Sequence, residues 1–327
     1  MNRFEHVTVS SLEEAFSCMD DSWDTRIISG GTDLLGEMKQ GTEKPRRLID
    51  IKGIESLRRI EAAEEGWSIG ALVTLDELEK HEKITAEYPV LREAVYEAAS
   101  PQLRNMATVA GNICQRPRCW YYRSAQFPCL RKGGKTCFAA GGENSYHAVF
   151  GGGPCHIVCP SDLAPALMAL DAKLTIAGPE GRRETLLDDF FVGPKVDPHR
   201  ENTLTPREIV TGVLLPVSNK NTRSLFIKVR ERRSFDFSLA SVALVLNFEN
   251  GVITKAGLVL GAVAPNPWRS AKAEQMLEGA AVEAVDPGEI AAAVISEARP
   301  LKGNRYKVDL TENIVTRALG TLLGQSG

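Results

Sequence analysis

Cys114, Cys119, Cys129, Cys137, Cys155 and Cys159, six of the chain's seven cysteines, crowd into one stretch rich in glycine, arginine and aromatic residues. Thiolates are the ligands of zinc and of iron–sulfur clusters, and cysteines carried on loops can turn toward a common centre more freely than cysteines fixed on one helix face. In a reducing compartment such a group reads as a metal or redox site before it reads as a disulfide framework, and the odd total points the same way. Two ligand sets satisfy the chemistry. Cys114, Cys119, Cys155 and Cys159 form two close pairs suited to tetrahedral zinc, whereas an iron–sulfur centre brings in Cys129 and Cys137, which zinc leaves unexplained. His147 and His156 could join either site, although a loop histidine is more often exposed. Cys18 sits among Leu12, Ala15, Phe16 and Met19 at helical spacing and reads as a small core residue.

A second chemistry is written at residues 26–40. An apolar strand, Arg26–Ser29, breaks at Gly30–Gly31 and passes through Thr32 and Asp33 into a helical stretch. A strand, a glycine pair and a helix start place backbone N–H groups where a phosphate can approach them. By itself the motif is more often an ordinary turn.

These residues need positioning elements. Ser11 precedes a helix with acidic residues in its first turn. Strands are expected over 46–51 and 67–69, with Thr74 as a cap and Glu77 three residues on. Pro89 starts a helix that stops at Ser100–Pro101. Ser161 caps the helix DLAPALMALDA, a strand covers 173–178, and another covers 208–217, where Pro216 suggests an edge or an exit. From about residue 220 the pattern changes to three strands, the last two joined at Glu249–Asn250–Gly251, followed by three helical stretches.

The chain has 327 residues, a formal net charge of -3 and 43% hydrophobic residues. This length suits two or three domains, and the charge offers no basic field for nucleic acid. No apolar run approaches membrane-spanning length and the N-terminus lacks a signal-peptide core, so a cytoplasmic protein is expected.

Four stretches fall in one order: IISGGTDLL (27–35), IGALVTLDEL (69–78), ASPQLRNMATVAGN (99–112) and SDLAPAL (161–167). With the C-terminal pattern, they resemble the FAD-binding medium subunit of the xanthine dehydrogenase and carbon monoxide dehydrogenase family over essentially the whole chain. The resemblance implies an α+β fold: a two-subdomain FAD-binding domain of the PCMH type with a cysteine-rich loop insertion, then an α+β C-terminal domain of three strands and three helices. The expected divisions are 1–57, 58–218 with the insertion at 114–159, and 219–327. It implies FAD held by Ile28, Ser29, Gly30, Gly31, Thr32, Asp33 and Leu34, by Thr108, Gly111 and Asn112, and by Asp162 and Lys228. Taken without the family, Lys228 is a solvated strand lysine and Asp162 a helix N-terminal acid. Ala110 stands where the family commonly has glycine, which narrows the expected pocket.

The insertion, and CLRKGGKTC at 129–137 above all, resembles the corresponding subunit of 4-hydroxybenzoyl-CoA reductase, where it holds an additional [4Fe–4S] cluster. Matching outward from that motif implies Cys119, Cys129, Cys137 and Cys155 as ligands, with Cys114 and Cys159 left over. Arg116, Arg118, Trp120, Tyr121 and Tyr122 then screen the cluster, meet a partner or pack the insertion. The partners implied are a small ferredoxin-like [2Fe–2S] subunit, a large molybdopterin subunit and an external carrier, ferredoxin or NAD(P)H, in a hetero-oligomer of higher order. The reaction implied is reductive dehydroxylation of an aromatic CoA thioester, with no catalytic site for the organic substrate on this chain. A free-standing FAD-dependent NAD(P)H oxidoreductase and a zinc-stabilised interaction subunit are the competing readings.

Overall fold

The computed structural model describes residues 1–232 and 235–324. Its first unit is a small parallel sheet of β1 (Glu5–Thr8), β2 (Thr25–Ile28) and β3 (Arg47–Asp50), in the order β1-β3-β2. Ile28 pairs with Asp50 at the carboxyl ends of the strands. The glycine turn at 30–31 therefore leaves the sheet at the end where α/β folds gather their ligands, and it feeds the helix Leu34–Gln40.

A second, antiparallel sheet contains β4 (Ile60–Ala63), β5 (Gly66–Gly70), β6 (Lys173–Gly178), β7 (Gly181–Leu186) and β8 (Ile209–Pro216), in the order β4-β5-β8-β6-β7. Between β5 and β6 the chain makes its long excursion through short helices and the cysteine-rich stretch. The first of these helices, Leu75–Lys80, carries a full capping box: Glu77 N–H donates to Thr74 Oγ1 at 3.1 Å and Thr74 N–H to Glu77 Oε2 at 2.7 Å. Pro89 opens the helix Pro89–Glu97, as expected from its fixed φ. Leu75, Leu78, Leu91, Leu167 and Val213 meet in one buried core beneath these elements.

The C-terminal unit is an antiparallel sheet of β9 (Thr222–Val229), β10 (Ala240–Glu249), β11 (Val252–Gly261) and β12 (Trp268–Arg269). Asn250 and Gly251 both have positive φ, at 50° and 79°, which is the backbone a two-residue hairpin demands. Helices Ala271–Leu277, Pro287–Ile295 and Tyr306–Leu323 bury a core with Val242, Leu244, Leu260 and Leu319. The helix Leu163–Ala169 joins this sheet to the preceding unit. A Cβ at Gly257 would overlap the Ala169 carbonyl, so that glycine permits the close approach.

Four local expectations change. β12 adds a short fourth strand to the C-terminal sheet. β7 was hidden because its GRRETL sequence faces solvent and shows no apolar alternation. β8 is a central strand, and Pro216 is tolerated because it is the last residue, paired with Gly66. Pro101 does not simply end a helix. It begins another, Pro101–Arg104, whose Leu103 N–H is capped by Ser100 Oγ at 3.3 Å.

Candidate flavin and cysteine sites

The glycine turn and the second motif form one structure. Ser29 Oγ lies 2.9 Å from Thr108 Oγ1, and Thr108 Oγ1 accepts from Gly111 N–H at 3.2 Å as the cap of helix Val109–Ile113. A Cβ at Gly30 would overlap the Met106 carbonyl, and Gly31 has a φ of +68°. Two backbone segments can thus approach closely and leave their amides free of side chains, which is what a pyrophosphate requires. Beside them opens a cavity of about 480 Å³, lined by Ile28, Ser29, Gly30, Gly31, Thr32 and Asp33 together with Leu34, Thr108 and Gly111. The donor set and the glycine cradle fit a dinucleotide.

Asn112, Asp162 and Lys228 stand outside this lining but are tied to it. Asn112 Oδ1 accepts from Ser161 Oγ at 2.6 Å, and Ser161 Oγ in turn accepts from Ala164 N–H at 3.0 Å. Asp162 receives Lys228 Nζ at 2.7 Å on one oxygen and Ser238 Oγ at 2.6 Å on the other. With side-chain exposures of 1% and 8%, Lys228 and Asp162 form a buried ion pair, which corrects the reading of Lys228 as a solvated strand lysine. Ala110 does not narrow the cavity. It sits on the helix Val109–Ile113, packed against the core.

Cys119, Cys129, Cys137 and Cys155 line one small cavity with Tyr121, Tyr122 and Arg131. The CLRKGGKTC loop is locally determined. Leu130 N–H donates to the Thr136 carbonyl at 2.9 Å, Gly133 takes a φ of +86°, and a Cβ at Gly134 would overlap the Pro128 carbonyl. Cys137 and Cys155 share a hydrogen bond that lowers the Cys137 pKa to about 5 and raises that of Cys155, so Cys137 is the readier thiolate. Burial pushes the Cys119 thiol up to about 11. His147 Nε2 lies 3.2 Å from Cys119 Sγ. His147 is buried, not an exposed loop histidine, and burial lowers its pKa to about 4.

The structure does not assemble the zinc set. Cys114 lines the flavin cavity and Cys159 is buried elsewhere, its N–H donating to the Ala264 carbonyl. Among the described residues, no three His, Cys, Asp or Glu groups are placed to hold a single metal ion. Cys119, Cys129, Cys137 and Cys155, which line one cavity, are the residues that would hold a thiolate-ligated cluster, and the chemistry of this donor set fits one.

Arginines of the insertion pack it against the flavin turn. Asp33 accepts from the Arg116 backbone at 2.7 Å, from Arg123 at 2.7 Å and from Arg118 at 2.9 Å. Glu37, almost fully buried, accepts from Tyr122 Oη at 2.8 Å, and burial raises its pKa. Arg116 also pairs with Glu43 and with Glu201, and Glu201 is shared with Arg131. Trp120 and Tyr121 pack instead around His147. Sequence reasoning missed Glu43, Arg131 and Glu201, because a carboxylate 70 residues beyond its arginine carries no local signal.

The family described as the FAD binding domain in molybdopterin dehydrogenase matches residues 2–218, and the CO dehydrogenase flavoprotein C-terminal domain matches residues 226–322. The chain belongs to this family of flavoprotein subunits. Within it, the chain is 35% identical to the aldehyde oxidoreductase FAD-binding subunit PaoB of Escherichia coli K12, over 100% of both chains. It is 30% identical to the nicotinate dehydrogenase FAD-subunit of Eubacterium barkeri, over 86% of this chain and 81% of that one. Among solved structures, carbon monoxide dehydrogenase from Hydrogenophaga pseudoflava superposes with a TM-score of 0.79 at 25% identity, covering 100% of this chain and 99% of the other. This flavoprotein subunit is therefore an FAD-binding oxidoreductase component, α+β in fold. Among the described residues no helix is long and apolar enough to cross a membrane.

Proposed function

We propose that this chain is the electron-transferring flavoprotein subunit of a cytoplasmic molybdenum hydroxylase-type complex. FAD lies on the glycine turn and a [4Fe–4S] cluster is held by Cys119, Cys129, Cys137 and Cys155. A bound flavin exchanges electron pairs with a diffusible carrier, ferredoxin or NAD(P)H, and single electrons with iron–sulfur centres. The chain's own residues bind and shield. Amides of residues 30–33 and the Thr108 cap receive the phosphates, and the Asp162–Lys228 pair fixes the far side of the site. Its partners are a small [2Fe–2S] subunit and a large molybdopterin subunit, and the chain itself divides into 1–57, 58–218 and 219–327.

The observation that carries this reading is the joint lining of one small cavity by four cysteines separated by as many as 36 positions, Cys119 to Cys155, next to the flavin cavity. A zinc-stabilised interaction subunit loses support from the dispersal of its ligand set, and a free-standing oxidoreductase from the medium-chain and subunit names of the relatives.

The organic reaction belongs to the partner. Reductive dehydroxylation of an aromatic CoA thioester such as 4-hydroxybenzoyl-CoA is supported by the CLRKGGKTC motif alone. Full-length likeness to an aldehyde oxidoreductase subunit favours oxidation of an aldehyde, and we take that direction. The test is analysis of the complex purified without oxygen. About four iron and four sulfide per flavoprotein subunit beyond those of the [2Fe–2S] partner are expected, together with dye reduction by aromatic aldehydes. Flavin without that extra iron would sink the cluster, and turnover of 4-hydroxybenzoyl-CoA with a low-potential donor in place of aldehydes would reverse the assigned direction.

A further inference from the structure

Among the described residues, Arg131 alone lines both the flavin cavity and the cysteine cavity. It follows Cys129 by two positions on the short turn Leu130–Lys132, and it is buried. Its guanidinium donates to Glu201 Oε1 at 2.9 Å through Nε and to the Pro198 carbonyl at 2.7 Å. Its carbonyl lies 3.3 Å from His199 Nδ1, so both ends of the residue brace the 198–201 segment that walls the flavin cavity. Glu201 accepts in addition from Arg116 Nε at 3.2 Å, and the Arg116 backbone N–H donates to Asp33, the last polar residue of the glycine turn. An unbroken chain of bonds thus runs from Cys129 through Arg131, Glu201 and Arg116 to the turn that faces the phosphates.

Charge points the same way. Arg26, Arg116, Arg118, Arg123 and Arg131 face four carboxylates, Asp33, Glu37, Glu43 and Glu201. This cationic excess suits a place between two anionic groups, a pyrophosphate on one side and a thiolate-ligated cluster on the other.

We propose that Arg131 is a positioning residue that couples the two sites, so that FAD binds tightly only when the cysteine loop is closed around its metal. This rests on the cluster assignment of the preceding section, but the role of Arg131 in flavin affinity can be read without it. Coupling of this kind is reciprocal: FAD should also slow the loss of metal.

The experiment is FAD titration of the flavin-stripped complex, for the wild type and for Arg131→Met, each with its iron intact and after chelation under mild oxidation. The wild type is expected to lose at least tenfold in FAD affinity when the metal is removed. Arg131→Met should begin at the weakened value and lose no more on chelation. A wild-type affinity indifferent to metal, or a variant with wild-type affinity whose chelation response persists, overturns the proposal. If Arg131→Met does not assemble, the two wild-type titrations decide alone. If the isolated complex carries no iron at this subunit, the cluster assignment fails separately. The metal-free comparison of wild type with Arg131→Met then decides whether Arg131 supports FAD, and equal affinities overturn that role.

Discussion

His147 Nε2 stands 3.2 Å from Cys119 Sγ, with the ring wedged edge-on against Trp120 at 5.1 Å. Its other nitrogen, Nδ1, is buried without a partner among the described residues, so the contact with sulfur is the polar interaction of the ring there. An N–H donor to a ligating sulfur stabilises the more reduced, more negative state of an iron–sulfur centre. With Nε2 as the protonated nitrogen, His147→Phe should therefore lower the midpoint potential of the proposed cluster while FAD content stays at the wild-type level. Redox titration followed by electron paramagnetic resonance checks this, and an unchanged potential with full iron would remove His147 from the set of tuning groups.

Substitution should sort the six clustered cysteines. Serine at Cys119, Cys129, Cys137 or Cys155 is expected to remove the iron of the proposed cluster. Cys114→Ser and Cys159→Ser should retain it, because neither side chain reaches the shared cavity. Iron analysis of each variant is sufficient, and loss of iron on changing Cys114 would revive the two-pair set.

Gly30→Ala places a methyl group on the Met106 carbonyl. Backbone cannot yield there as a flexible side chain would, so the two flavin motifs must separate. Flavin content after gel filtration should fall by at least tenfold, whereas Gly36→Ala, with open space around its Cβ, should leave it unchanged.

Breaking the buried Asp162–Lys228 pair from either side leaves a charge without its partner. Asp162→Ala and Lys228→Met should each destabilise by about 3–5 kcal/mol. The double substitution should cost less than the sum, because the second change removes the stranded charge. Thermal unfolding of the four proteins forms the cycle, and strict additivity would mean that the pair is not energetically coupled.

Lys307 is fully buried and donates to the Ala262 carbonyl at 2.6 Å and the His147 carbonyl at 3.3 Å. Burial lowers its pKa to about 7, from an ordinary value of about 10.4 in the unfolded chain. As the pH falls from that ordinary value, the unfolded chain takes up the proton first, and stability is lost until the folded amine also titrates near 7. From pH 7 to 9 wild-type stability should therefore rise relative to Lys307→Met, by up to about 1.4 kcal/mol per pH unit. Equal slopes in urea unfolding across that range would show that the amine is charged in the folded protein.

Much of this was legible before the fold was known, and the physical reason differs by element. Thr74 with Glu77, Pro89 and Asn250–Gly251 are local devices whose geometry is settled within four residues, and each does in the structure what its type and spacing imply. The glycine turn and Thr108 were readable as motifs, but not the 2.9 Å hydroxyl contact that joins them across 79 positions. β7 escaped because an exposed strand has no apolar face to betray it. Glu201 escaped because its meaning comes only from arginines that the fold brings to it. Taken without the family, Lys228 reads as solvated, and its bonds to the Glu97 carbonyl and the Asp162 carboxylate in a buried setting make it the opposite.

The segment that sets His147 against Cys119 is held by distant residues. Asn304 Nδ2 donates to the carbonyls of His147 and Ala148 at 3.0 and 3.1 Å, and Lys307 adds its bond to His147. These contacts join positions 156–160 residues apart, close to the end of the chain. During synthesis from the N-terminus, the cysteines leave the ribosome long before the residues that clamp them. The cysteine stretch therefore reaches its final packing only after Asn304 and Lys307 have been made, and filling of the proposed cluster would follow synthesis of both.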